Sequence, residues 1–222
     1  MVLNMAGNFA LYTYFRSSAA FRARIALNLK GIEPDYKFIH LLKDGGQQHG
    51  AEYKHINPQE LIPLLVHDGH AIGQSLALIE YLDEIKPEPP LLPTLPLARA
   101  RVRQVAYAIA CDIHPVNNLR ILQYLRRDFG RSEDDVLAWT CHWIELGFSA
   151  LEEMLSGSAE TGRFCHGDTP TLADVCLIPQ MANARRAKID VGRWPTLHRI
   201  EQAALALPAF DRALPANQPD AE

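Results

Sequence analysis

The feature that most constrains the fold is a run of prolines near the middle of the chain. Residues 86–96 contain five prolines in eleven positions. Because proline lacks a backbone N–H and has a fixed φ, neither a helix interior nor a strand interior can pass through this stretch. We interpret residues 87–96 as a semi-rigid linker. The linker predicts two domains in the 222-residue chain, one over residues 9–86 and one over residues 97–222.

The first domain alternates predicted strands with predicted helices. In chain order these elements are Leu11–Phe15, Ser18–Lys30, Tyr36–His40, Leu64–His67, Ala71–Gly73 and Ser75–Ile85. Gly31 stands where the first helix should stop, and a loose polar stretch around Gly45-Gly46 follows the second strand. The order βαβ followed by ββα predicts a small mixed sheet with helices on both faces.

The second domain is predicted to be entirely helical. The predicted helices are Leu97–Phe129 with a bend near His114-Pro115, Glu133–Leu155, Thr171–Ala187 and Thr196–Leu207. Thr171 and Asp174 have the spacing of a capping box, which we assign to folding and not to catalysis. Residues 208–222 are expected to form a packed or loose tail.

Composition excludes several classes of function. A net charge of −4 and a pI of about 6.1 provide no basic field for nucleic acid. No run approaches 18 apolar residues, so we predict no membrane span. The four cysteines form no CxxC pair, which favours reduced thiols and a cytoplasmic location. His67 and His70 flank a hairpin turn with no cysteine near them, so we also predict no metal site.

Ser17 and Ser18 lie where the first strand passes into the first helix. Free backbone N–H groups and the positive end of the helix dipole converge at such a place. The position therefore favours a phosphate, a carboxylate or a thiolate. Taken alone, the pair more readily indicates two N-cap serines without any chemical role.

Two further pairs of residues stand at the borders of predicted elements. Pro63 must lie at the start or edge of its strand, and the Ile62-Pro63 bond is either an ordinary trans bond or a cis bond. A cis bond would leave the backbone of Ile62 open to pair with a bound peptide. Gln74-Ser75 opens a helix, where Ser75 can act as a plain cap or its N–H groups can hold a carboxylate.

Taken together and in this order, these elements resemble the glutathione transferase superfamily. The segment Arg16-Ser-Ser-x-x-x-Arg-x-Arg-Ile-Ala-Leu27 is similar to the signature of the zeta class, which includes the maleylacetoacetate isomerases. The resemblance extends to five further segments, which are Asn57–Gln59, Gly167–Asp174, Leu177–Gln180, Asn183–Arg186 and Gln218–Asp220. Cys111–Asn118, with Arg120, resembles the bacterial glutathione-dependent maleylpyruvate isomerases. The resemblance implies a thioredoxin-like N-terminal domain followed by an all-helical C-terminal domain.

The resemblance also implies glutathione as the cofactor and assigns its contacts. Ser17 would donate its hydroxyl to the glutathione sulfur, and the helix N-terminus would add positive potential. Gln74 and Ser75 would hold the γ-glutamyl end, while Ile62 would pair with the cysteinyl backbone. Further implied cofactor contacts are Ser18, His40, Gln59, His114 and Asn118.

The implied substrate is a cis-enediketo acid with two carboxylates. Thiolate addition, rotation about the former double bond and elimination would give the fumaryl isomer. Arg16, Arg120 and Arg186 are the candidate substrate-binding cations, and with Ser17 we class Arg16 and Arg186 as catalytic. Considered singly, each arginine would read as a solvated surface charge.

Two other functions fit the same residues. One is a general glutathione transferase that conjugates or reduces electrophiles, and the other is a non-catalytic glutathione-fold binding protein. Ala19 stands where zeta-class enzymes commonly have cysteine, which argues against any role that needs a protein thiol there. The resemblance further implies a homodimer, and the sequence leaves maleylpyruvate and maleylacetoacetate both open as substrates.

Overall fold

The computed structural model describes residues 8–222, and the chain divides into two compact units. The first unit takes in the chain up to Leu91 together with Leu207–Glu222, and the second is Leu92–Ala206. The division after Leu91 falls inside the proline-rich stretch. The tail differs from the sequence prediction, because we placed residues 97–222 together in the helical domain. Phe210 is fully buried in the first unit, which explains why the chain returns there.

The first unit is built on a four-stranded mixed sheet in the order β2-β1-β3-β4. The strands are β1 (Phe9–Thr13), β2 (Asp35–Phe38), β3 (Leu64–His67) and β4 (His70–Gly73). Strand β1 is parallel to β2 and antiparallel to β3, and β3 and β4 form an antiparallel hairpin. With helices α1 (Ser18–Lys30), α2 (Ala51–Ile56) and α3 (Ser75–Ile85), this is the predicted thioredoxin-like arrangement.

The first two strands end two residues earlier than the sequence predicted. The carbonyl of Tyr14 accepts a hydrogen bond from the Ser17 N–H at 3.0 Å, so a turn has already begun there. After β2, Nδ1 of His40 accepts hydrogen bonds from the N–H groups of Leu42 and Lys43 and bends the chain. Helix α2 was not predicted at all. Tyr53 is its only buried residue, so the helix has no apolar stripe to reveal it.

Helix α1 has the predicted limits because both of its ends are capped. Ser17 adopts an extended conformation, and its Oγ accepts a hydrogen bond from the Ala20 N–H at 3.2 Å. Gly31 ends the helix at φ 59°, in the left-handed region that glycine tolerates. The helix is buried on nearly every side, including Arg22 and Arg24, each only 1% exposed.

The second unit contains six helices among the described residues. These are α4 (Pro96–Tyr107), α5 (His114–Val116), α6 (Leu119–Arg127), α7 (Glu133–Ser156), α8 (Leu172–Arg186) and α9 (Pro195–Leu205). A short helix α10 (Pro208–Asp211) belongs to the tail in the first unit. Across residues 8–222, none of the helices has the length and hydropathy needed to cross a membrane.

The prediction of one bent helix over Leu97–Phe129 is wrong. The chain widens into a π-helical turn over Ala108–Ile113 and then leaves helical geometry at Asn118. Asn118 is extended (φ −68°, ψ 149°), and its side chain accepts a hydrogen bond from the Arg120 N–H to start α6. Proline alone did not end the helix, because the backbone stays helical from the π-helical turn into α5, which contains Pro115.

Helix α8 forms the buried centre of the second unit, and its predicted capping box is present. Asp174 is fully buried, and its carboxylate accepts hydrogen bonds from the N–H groups of Thr171 and Cys165, both at 2.8 Å. The Thr171 hydroxyl donates to the same carboxylate at 2.9 Å. Burial raises the pKa of Asp174, although these hydrogen bonds oppose the rise. One side chain therefore joins the start of α8 to the loop that precedes it.

Candidate active site

Ser17 lies at the N-terminus of α1 with its hydroxyl proton uncommitted to the cap. Its Oγ acts as the acceptor in the bond from Ala20 N–H, so the hydroxyl can still donate. Ser17 is half-buried, whereas Ser18, the first residue of the helix, is 6% exposed. The N-terminal N–H groups of α1 add positive potential at this point. A thiolate placed here would receive a hydrogen bond and a favourable field.

Arg16 precedes the serines and is exposed to solvent. Its guanidinium lies over the Phe15 ring, 5.1 Å from the ring centroid. The contact keeps a cation beside Ser17 without burying it.

The Ile62-Pro63 bond is cis. The first paired residue of β3 is Leu64, which lies opposite Tyr12 of β1 on one side and Gly73 of β4 on the other. Ile62 precedes it by two residues. The backbone of Ile62 is therefore outside the ladders on both sides of β3. The preceding carbonyl, that of Leu61, accepts hydrogen bonds at 2.6 Å from the hydroxyl of Tyr53 and from the side-chain amide of Asn57.

Gln59, Gln74 and Ser75 form a second polar group beside the sheet. The Gln74 side-chain amide donates to Oε1 of Gln59 at 2.9 Å, and both residues are exposed. Gln74 has φ 62°, a left-handed conformation that is uncommon for a residue other than glycine. Ser75 opens α3 and is 7% exposed, and its Oγ accepts a hydrogen bond from Arg22 Nη1 at 3.4 Å. The free N–H groups at this helix start can hold a carboxylate.

The two ring nitrogens of His40 have different partners: Nδ1 bonds to the backbone that follows, and Nε2 faces Tyr14 and Glu222. Since Nδ1 accepts hydrogen bonds from the N–H groups of Leu42 and Lys43, the neutral ring carries its proton on Nε2. Nε2 lies 3.5 Å from the Tyr14 hydroxyl and 3.6 Å from Oε1 of Glu222, which also forms an ion pair with Lys43. Burial is the main cause that raises the pKa of Tyr14.

In the second unit, the break between α5 and α6 brings two predicted residues together. Nε2 of His114 lies 3.3 Å from the side-chain amide of Asn118, and both side chains are partly exposed. Oδ1 of Asn118 also accepts a hydrogen bond from the Arg120 N–H at 3.2 Å. Arg120 itself is exposed. The two side chains meet although they do not belong to one continuous helix.

Arg186 lines a cavity of about 310 Å³ within the second unit. Its Nη2 donates to Oδ1 of Asn183 at 2.8 Å, one turn earlier on α8. Arg126, which also lines the cavity, forms a bidentate pair with Glu133 at 2.6 and 2.8 Å. That pairing raises the pKa of Arg126 and lowers the pKa of Glu133. The lining also includes polar residues such as Asn117 and apolar residues such as Leu122.

Comparison with known proteins decides the family. Residues 11–90 match the family described as "Glutathione S-transferase, N-terminal domain". A probable maleylacetoacetate isomerase of Vibrio cholerae is 50% identical over 95% of this chain and 97% of its own length. The maleylpyruvate isomerase of a Ralstonia species is 46% identical over 95% and 98%.

Solved structures agree with the sequence relatives. The holo structure of a maleylpyruvate isomerase, described as a bacterial glutathione S-transferase of the zeta class, superposes with a TM-score of 0.93. It is 45% identical and covers 96% of this chain and 100% of its own. The chain belongs to the zeta class of the glutathione S-transferases. Another solved structure, a maleylacetoacetate isomerase of Methylobacterium extorquens with bound malonate and glutathione, has a TM-score of 0.92 at 42% identity. It covers 96% of this chain and 99% of its own.

Within this zeta-class chain, the structure groups the predicted site residues unevenly. Gln59 and Gln74 are directly bonded, as are His114 and Asn118. Arg186 is the predicted cation that lines the cavity of the second unit, whereas Arg120 does not line it. In residues 8–222, no cluster of three or more His, Cys, Asp or Glu side chains could hold a metal ion.

Sequence reasoning missed several residues that lie beside the predicted site residues. Arg126 and Asn117 line the cavity, but nothing in the pattern of α6 sets them apart from surface residues. Asn183 could have been found, because it lies three residues before Arg186 on one helix face. Lys43 and Glu222 meet at His40 from positions far apart in the chain, which no local pattern can indicate.

Proposed function

We propose that this chain is a glutathione-dependent cis–trans isomerase that converts maleylpyruvate or maleylacetoacetate into the fumaryl isomer during breakdown of aromatic compounds. One observation carries the proposal: Ser17, with a hydroxyl proton to donate, caps the buried helix α1 of a chain that resembles such isomerases over 95% of its length. Glutathione, when bound, supplies a thiolate whose reversible addition to the cis double bond permits rotation about that bond.

The residues present fit glutathione by the chemistry of their donors. Ile62, outside the ladders and followed by a cis proline, offers a backbone N–H and C=O to the cysteinyl unit. Gln74, Ser75 and the start of α3 offer donors to the γ-glutamyl carboxylate. His40 and Gln59 are the proposed contacts for the remaining end, Ser18 supports Ser17, and His114 and Asn118 are further proposed contacts.

Ser17 and α1 together favour the ionised form of a thiol. A free thiol has a pKa of about 8.5, so only a few per cent is thiolate at neutral pH. A hydroxyl hydrogen bond and the helix N-terminus both stabilise the anion and lower that pKa. The result is a larger reactive fraction without any protein cysteine at position 19, where this chain has Ala19.

The proposed cations serve a substrate with two carboxylates. Arg16 stands beside Ser17, and Arg120 and Arg186 belong to the second unit. Because the guanidinium fork binds a carboxylate with two hydrogen bonds, each arginine suits one carboxylate or the charge that develops on the substrate oxygen. The Arg186 Nη2 donates a hydrogen bond to Oδ1 of Asn183 at 2.8 Å, which orients the guanidinium along α8.

The alternatives make different demands on Arg186. A general transferase acting on neutral electrophiles needs Ser17 but no cation for substrate carboxylates, and a binding module needs neither. We expect Arg186→Gln to raise KM for the diacid about tenfold or more, with conjugation of a neutral electrophile unchanged. Arg127→Gln, which removes the same charge from an exposed residue of α6 outside the cavity lining, is the matched control. Equal losses in both reactions, or in both variants, would contradict the isomerase proposal.

We also propose that the protein is a cytoplasmic homodimer. Its four cysteines are all free thiols, which supports a reducing compartment. The likeness to glutathione S-transferases supports the dimer. Light scattering on the purified protein tests the assembly, and a mass of one 24.9 kDa chain would contradict it.

A further inference from the structure

The loop that leads from β1 to Ser17 is fixed by a buried arginine of α1. Arg24 is 1% exposed, and its Nη1 donates to the carbonyl of Tyr14 at 3.3 Å while its Nη2 donates to that of Phe15 at 3.1 Å. Nη1 also donates to Oγ1 of Thr13 at 3.1 Å. Burial lowers the pKa of Arg24 to about 10, so the guanidinium remains charged at neutral pH.

The C-terminal tail holds the same loop from the other side. Oδ2 of Asp220 accepts a hydrogen bond from the Phe15 N–H at 2.9 Å. The carbonyl of Ala213, earlier in the tail, accepts from both Nε and Nη2 of Arg24, at 3.2 and 3.1 Å. All these groups belong to the first unit.

These bonds leave the two peptide planes before Arg16 without rotational freedom. The plane between Tyr14 and Phe15 is held at its carbonyl by Arg24 and at its N–H by Asp220. The next plane is held at the Phe15 carbonyl by Arg24. Because the Tyr14 carbonyl also accepts the Ser17 N–H at 3.0 Å, the orientation of the first plane is passed directly to Ser17.

The Asp220 carboxylate is costly to keep in this position. Its Oδ1 is buried and accepts no hydrogen bond from the residues that the structure describes. A buried acceptor without a donor lowers stability, and the attraction of Arg24 offsets part of that cost. The other carboxylate oxygen, Oδ2, accepts its hydrogen bond from the N–H of Phe15, two residues before Ser17.

We propose that Asp220 is a positioning residue that, together with Arg24, sets the place of the Ser17 hydroxyl in the glutathione site. This inference rests on the proposed role of Ser17 toward the glutathione sulfur. The proposal assigns the C-terminal tail a role in positioning the site, although Asp220 and Phe15 are 205 positions apart in the sequence. A displacement of a catalytic group by about 1 Å can cost a large factor in rate, so a loosened loop should weaken the hydrogen bond to the thiolate.

The test is a titration of the bound glutathione thiol, followed by ultraviolet absorbance of the thiolate in the absence of any substrate. Asp220→Ala is expected to raise the pKa of the bound thiol by about half a unit or more, which means an approximately threefold smaller ratio of thiolate to thiol at a given pH. Asp220→Asn keeps an acceptor in the same place and should titrate close to the unchanged protein. Asp220→Glu keeps the charge but moves the acceptor, and should behave like Asp220→Ala.

The control is Asn217→Ala, which removes an exposed tail side chain that donates a hydrogen bond to the Asp211 carbonyl at 2.8 Å. It should leave the titration unchanged. A merely structural role of Asp220 would lower the melting temperature without moving the thiol pKa. An unchanged thiol pKa in folded Asp220→Ala or Asp220→Glu overturns the proposal. Ser17→Ala, titrated in the same way, separates this outcome from failure of the proposed function. A raised thiol pKa in Ser17→Ala with an unchanged thiol pKa in Asp220→Ala overturns the positioning role alone.

Discussion

Ser17 combines two tasks that use different parts of one hydroxyl group. Its oxygen accepts the Ala20 N–H and starts α1, while its proton stays available for the proposed bond to sulfur. Removing the hydroxyl should therefore affect both folding and chemistry. The two effects can be separated, because another serine in the chain performs only the first task.

We expect Ser17→Ala to lower isomerase turnover at least about tenfold and to cost about 1 kcal/mol of stability through the lost cap. Ser132→Ala is the matched control, since Ser132 caps α7 through a bond from the Asp135 N–H at 3.1 Å. It should cost a similar free energy of unfolding with unchanged turnover. Steady-state kinetics and denaturant unfolding on both variants provide the comparison. Equal turnover in the two variants would remove Ser17 from the thiolate role.

Tyr53 gives stability a dependence on alkaline pH. Burial raises the pKa of its hydroxyl from 10.0 to about 12. Between these values the unfolded chain has lost the proton and the folded chain has kept it, so the free energy of unfolding falls as pH rises, by about 3 kcal/mol in total. In Tyr53→Phe, the free energy of unfolding should fall less steeply between about pH 9 and pH 11, the range that spans the pKa of the unfolded chain. Denaturant unfolding at several pH values measures the slope. The exposed Tyr124→Phe is the control, and identical slopes in both variants would contradict the assignment.

At the scale of elements, the sequence predicted those helices whose ends carry their own signals. Helix α1 has Ser17 and Gly31, α7 has Ser132 and α8 has Thr171, and each was placed within one residue or two. Helix α2 has no side-chain cap and one buried residue, so neither signal was present. The break before α6 was missed because the sequence around Asn118 fits both a bent helix and the N-cap of a new helix. Only the backbone conformation of Asn118 distinguishes the two.

The two acidic capping residues should differ strongly in their energetic value. Asp174 satisfies two buried N–H groups, whereas Asp135 serves an exposed helix start. We expect Asp174→Ala to cost about 3 kcal/mol or more, since each buried N–H left without a partner costs about 1–3 kcal/mol. Asp135→Ala should cost about 1 kcal/mol. Urea unfolding of the two variants measures the difference, and equal losses would mean that burial of the Asp174 carboxylate contributes nothing.

At the scale of the whole molecule, the sequence located the polar residues but not the contacts that hold them. The Ser17 and Gln74 positions follow from local rules about helix starts, and the structure places both at such starts. The tail was assigned to the helical domain, because a segment such as Ala213 or Asp220 carries no local sign of where it packs. Its bonds to Arg24 and Phe15 exist only after long-range folding, so no pattern of neighbouring residues could predict them.

The central claim, a glutathione-dependent isomerase, is tested most directly by the absorbance of maleylpyruvate with the purified protein, with and without glutathione. Maleylacetoacetate is followed in parallel. Our account predicts decay to fumarylpyruvate that requires glutathione, and the ratio of the two kcat/KM values then identifies the preferred substrate. If neither compound decays while glutathione still binds, the isomerase assignment is wrong and a general transferase or a binding protein takes its place.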